Sequence, residues 1–67
     1  MSESNVTIKR ETGGFDITAI VAGEKKSTTW RQDFRTAYNY AREWADYYTD
    51  DNGQSLKIVI PEDIILP

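Results

Sequence analysis

Neither cysteine nor histidine occurs among the 67 residues of this chain. Without cysteine there is no disulfide, no thiolate nucleophile and no cysteine-based zinc or iron–sulfur site. Without histidine the usual metal ligand and the usual proton acceptor near neutral pH are gone as well. Catalysis, a resident metal and a cofactor are therefore not expected. Long apolar runs are missing too. The longest, residues 19–22, has four members, too few for a membrane span or a secretory leader. No membrane partner is expected, and the cytoplasm is the default compartment. Basic side chains are the minority, eight against eleven acidic, for a net charge of −3. Residues 1–33 are balanced. The excess acid lies further on, in Glu43, Asp46, Asp50, Asp51, Glu62 and Asp63. Such a balance favours solubility and makes nucleic acid the less expected partner.

What the chain does have is concentrated. The segment DFRTAYNYAREWADYY, residues 33–48, holds six of the eight aromatic residues. Projected at about 100° per residue, Phe34, Ala37, Tyr38, Ala41, Ala45 and Tyr48 share one face, the stripe of an amphipathic helix lying on a sheet. Thr29 with Gln32 fits a capping box, but Asp33 is the favoured N-cap because Trp30 then belongs to the sheet. The turn formers Asp50-Asp51-Asn52-Gly53 end the helix near Thr49.

Before the helix, Val6 and Ile8 alternate with Thr7 and Lys9, the period of a strand with one wet face. Residues 1–5 look like a polar, frayed start. Thr12-Gly13-Gly14 punctuates the chain, and Phe15, Ile17, Ala19 and Val21 alternate through a second strand of a hairpin. Gly23-Glu24 gives another turn, after which residues 25–30 read as an edge strand whose lysines discourage sheet-to-sheet pairing. After the helix, Leu56, Ile58 and Ile60 face inward from a last strand ended by Pro61, and residues 61–67 form an apolar tail. The expectation is one α+β domain spanning residues 1–67. Its small antiparallel sheet follows β-β-β-α-β order, with one amphipathic helix packed on one face. Phe15, Ile17, Ala19, Val21, Phe34, Tyr38, Ala41, Ala45, Leu56, Ile58 and Ile60 should form its core.

Several side chains exceed what such a core needs. Tyr40, Trp44 and Tyr47, spaced i, i+4, i+7, form a second aromatic row along one helix flank. Tryptophan and tyrosine offer large contact area at low entropy cost, so the row suits a protein partner, with Glu43, Asp50 and Asp51 as its acidic rim. Rings at the margin of a helix stripe also seal a core edge, and the sequence leaves both readings open. On the other flank, Arg31, Arg35 and Arg42 project within about 40° of one another. With Lys25 and Lys26 they make an alternative, nucleic-acid-binding surface. Asp50-Asp51-Asn52-Gly53 invites a calcium loop but fails its spacing, because the sixth place is Ser55 and the twelfth is Pro61. Ile20, Val59 and the apolar tail suggest a covering partner for the sheet face away from the helix, such as a second copy of this chain, unless the tail itself folds back over Ile20 and Val59 within one monomer.

The order of hairpin, third strand, helix with Ala37, Ala41 and Ala45, and last strand resembles the partial RNase H-like fold of HicB-type antitoxins, where a short sheet carries one helix. It is similar also to the small early inhibitors of host RNA polymerase made by T-odd phages. That likeness rests on length, on one helix containing Ala41-Arg42-Glu43-Trp44, and on a following strand that ends at proline. The resemblance spans residues 6–61 in layout and transfers no site residues. It implies a phage- or prophage-type accessory protein that acts by binding a host protein, as inhibitor or regulator, or an antitoxin-like regulator.

Overall fold

Two tight turns fold the N-terminal half of the chain into three strands. The computed structural model describes residues 3–50 and 52–64. Strand β1 (Asn5–Glu11) pairs antiparallel with β2 (Gly14–Val21), with Glu11 opposite Gly14 across a two-residue loop. Gly13 sits in that loop at φ +78°, a backbone region closed to most side chains. β2 pairs in turn with β3 (Glu24–Arg31) through Ala22-Gly23. Both turn residues have positive φ, +53° and +81°, as a hairpin turn matched to the twist of its strands requires. Residues 3–5 are more ordered than their composition suggests. Asn5 already lies in β1, the Gly23 N–H donates to the Glu3 carbonyl at 2.7 Å, and the Ala22 N–H donates to the Ser4 hydroxyl at 2.9 Å.

Helix α1 (Phe34–Tyr47) follows. Asp33 caps it as expected, its carboxylate accepting from the Thr36 backbone N–H at 3.0 Å and the Thr36 hydroxyl at 2.9 Å. The backbone N–H comes first among the causes that hold the Asp33 carboxyl below the usual aspartate range, followed by the hydroxyl. At the other end, the Leu56 N–H donates to the Ala45 carbonyl at 2.9 Å, satisfying a C-terminal carbonyl that has no partner within the helix. Between these points Asp50 organises the loop. Its carboxylate accepts from the backbone N–H groups of Asn52 and Gln54, each at 2.9 Å.

β4 (Lys57–Val59) then adds beside β1, giving the sheet order β3-β2-β1-β4. The α+β class and the element order are as the sequence implied, but β4 runs parallel to β1, so the sheet is mixed. Geometry demands this. A chain that leaves β3, returns along a helix and re-enters the sheet runs in the direction of β3, which is also that of β1. β1 thereby becomes an inner strand, and Val6 and Ile8, missing from the expected core, are fully enclosed beside Ile17 and Ala19. Ala37, Ala41 and Ala45 bring the helix close to β1 and β2. Phe34, Tyr38, Trp44 and Tyr48 wall the contact at its margins, with Val21, Ile58, Ile60 and Ile64 half-buried around it. Each large side chain removed from water contributes about 1.5–3 kcal/mol. Ile64 closes a turn from Pro61 and packs on this core, while Asp63 pairs with Arg10 at 2.7 Å. The tail therefore turns toward the helix side as far as residue 64, and Ile65 and Leu66 lie outside the described residues.

Candidate functional site

The cross-strand register decides which side chains of β3 can meet the helix. Ser27, Thr29 and Arg31 stand opposite Ala19, Ile17 and Phe15 and share their face. The Ser27 hydroxyl lies 2.6 Å from the Tyr48 hydroxyl, near the end of α1. At the other end of β3, the Arg31 guanidinium sits over the Tyr40 ring, 4.1 Å from its centroid. The helix thus runs back along β3, and its Tyr40–Trp44–Tyr48 flank follows that strand's edge.

Along this flank the rings meet in two pairs. Tyr40 meets Trp44 edge-on with centroids 6.3 Å apart, and Tyr47 meets Tyr48 edge-on at 4.9 Å. Such pairs hold ring orientation beyond what burial alone provides. Exposure separates the members. Trp44 packs against the core, Tyr40 is half-buried beneath Arg31, and Tyr47 is 78% exposed. The row is therefore graded, from a ring that closes the core to one that stands clear of it.

The acidic rim is dispersed. Glu43 lies on the exposed back of the helix, where it lines a shallow groove with Asn39, Arg42 and Asp46. Asp50 is engaged by its own loop, and Asp51 lies outside the described residues. The arginine stripe requires a correction. Helical projection groups Arg31 with Arg35 and Arg42, but Arg31 ends β3 and stacks on Tyr40, on the aromatic side. Arg35 and Arg42 remain exposed on the helix, and Lys25 and Lys26 on β3, so the five cations do not share one stripe.

On the sheet face away from the helix, Ile20 is half-buried and Val59 is 39% exposed. Around them stand Thr7, Lys9, Glu11, Asp16, Thr18, Lys25 and Thr28, so the face is mixed and polar. Trp30 belongs to this face, directly opposite Asp16, and is 45% exposed. Its neighbour is Gly14, whose missing side chain leaves the space the indole takes. The sequence places Trp30 in the sheet, but no signal there marks it as exposed. Only the parity of β3 against β2 does so. Among the described residues, no group of three or more acidic, His or Cys side chains could hold a metal ion, and no helix is long and apolar enough to cross a membrane. No protein-family model, curated protein or solved structure significantly matches this chain.

Proposed function

We propose that this chain is a small, non-enzymatic protein-binding module, an inhibitor or regulator of a larger host protein, which it contacts through the aromatic flank of α1. The observation that supports this most is Tyr47. A tyrosine ring that is 78% exposed, with its one ring contact edge-on to Tyr48, adds little to the core and offers an amphipathic surface. Rigid aromatic side chains dominate the energetics of protein contacts because little entropy is lost on fixing them. Tyr40 and Arg31 extend the surface along the strand edge, and Trp44 anchors it to the core. Glu43 borders it from the helix back and would steer a basic partner surface.

The test is affinity capture with the tagged chain, with and without nuclease, comparing wild type with Tyr40→Ala/Tyr47→Ala. The reading requires a protein that persists through nuclease and disappears with the double variant, whose fold circular dichroism verifies. Salt-sensitive retention of nucleic acid that depends on Arg35 and Arg42 and ignores the tyrosines would replace it with the nucleic-acid-binding, antitoxin-like alternative.

A further inference from the structure

The aromatic flank runs beside an unfinished sheet edge. β3 is eight residues long and hydrogen-bonded on one side, to β2. Peptide groups along such an edge are satisfied by water, by a side chain or by another extended strand. The first part of β3 is defended against pairing. Lys25 and Lys26 stand there, and the register shift between Ala19 and Ile20 leaves Lys26 as an extra residue that bends the strand. Residues 27–31 differ. They pair in regular register with residues 15–19 and contain neither lysine nor proline.

The two faces of this open half are chemically distinct. Trp30 stands on the open face, against Gly14 and 45% exposed. On the helix face Arg31 lies over Tyr40, and its guanidinium donates to the Thr29 hydroxyl at 3.0 Å and the Trp30 carbonyl at 2.6 Å. Among the described residues no carboxylate lies within ion-pairing distance of Arg31. β3 as a whole carries three cations against one carboxylate, Glu24, which Lys26 meets at 3.3 Å, in a chain of net charge −3. The strand edge is thus a basic strip on an acidic protein. A second copy of β3 would lay one strand with two excess cations beside another, and that like-charge approach disfavours self-pairing.

We infer that residues 27–31 of β3 accept an extended segment of the partner protein as a fifth strand. Its acidic side chains would face Arg31 on the helix side, and its apolar ones would face Trp30 on the other. This rests on the protein-binding reading and specifies the kind of segment bound. Main-chain hydrogen bonds would supply affinity and the alternating side chains specificity.

A fluorescein-labelled peptide as long as β3, alternating glutamate and valine, tests this by anisotropy and by amide shift mapping on the isotope-labelled full chain. Binding is expected with the largest shifts at residues 27–31. N-methylation of alternate peptide nitrogens should abolish it, and Arg31→Gln should weaken it about tenfold. Wild-type-like amide spectra away from residue 31 establish that Arg31→Gln still folds. A lysine–valine peptide that binds equally well, or no binding at about 1 mM, overturns the inference. Concentration-dependent β3 shifts without peptide also overturn it, by assigning the edge to a second copy. Shifts confined to Tyr40 and Tyr47 and indifferent to N-methylation end strand addition but leave the flank reading intact. That reading stands or falls on capture with Tyr40→Ala/Tyr47→Ala.

Discussion

Replacing Gly14 with alanine isolates one contact that shapes the open face. A Cβ at this position would stand 2.4 Å and 2.7 Å from two atoms of the Trp30 ring and 2.6 Å from the Arg31 carbonyl oxygen. The indole could swing away, but the carbonyl belongs to the β2–β3 ladder and can move only with the strand. Overpacking of this kind costs about 1–3 kcal/mol. In a domain this small, each kcal/mol lowers Tm by about 4–8 °C, so Gly14→Ala should melt well below wild type. A double-mutant cycle with Trp30→Ala divides the two contacts. Without the indole, the penalty of Gly14→Ala should shrink by at least about 0.5 kcal/mol, the scale of coupling between touching residues, yet persist because the Arg31 carbonyl remains. Thermal melts followed by circular dichroism, checked by urea titration, measure all four proteins. A Gly14→Ala protein that melts with wild type, or an additive cycle, would show that the indole does not occupy the space above Gly14.

Three further outcomes follow from particular residues. Ala22 holds φ +53° beside Gly23, so Ala22→Asn, which suits that turn, should stabilise by about 0.5–1 kcal/mol in urea titration. Trp44→Ala, which strips a ring from the core margin, should cost about 2–3 kcal/mol, whereas Tyr47→Ala should stay within about 0.5 kcal/mol of wild type. The Asp33 carboxyl titrates below its unfolded value because Thr36 donates to its ionised form. Its contribution is present above the ordinary aspartate range and is lost as pH falls through the lowered value. Asp33→Asn keeps a capping oxygen and cannot titrate, so its acid-side decline in Tm should be shallower than that of wild type.

The parts of the fold written in neighbouring residues were legible. Gly13 and Gly23 announced the turns, although the second falls one residue earlier than Gly23-Glu24, at Ala22-Gly23. Asp33 announced the helix, and the spacing of Ala37, Ala41 and Ala45 marked its buried face. The parts that depend on distant pairing were not. Val6 and Ile8 alternate with polar residues in the manner of any half-wet strand, and only β4 docking beside β1 makes them central. Arg31 is misplaced for a different reason: the projection runs back past Asp33, the cap the sequence itself marks, into a segment where helical periodicity no longer applies. The aromatic row was correctly phased, but its gradient from the core-packed Trp44 to the exposed Tyr47 depends on how the helix sits over β3, which periodicity cannot report.

The contact surface itself can be read by site-specific photo-crosslinking in lysate. A photoreactive phenylalanine analogue is placed in turn at Tyr47 and at Asn39 on the helix back. Protein contact through the aromatic flank predicts a discrete, nuclease-resistant protein adduct from position 47 and little from position 39. Equal labelling from both positions, or an adduct from position 39 alone, would contradict it.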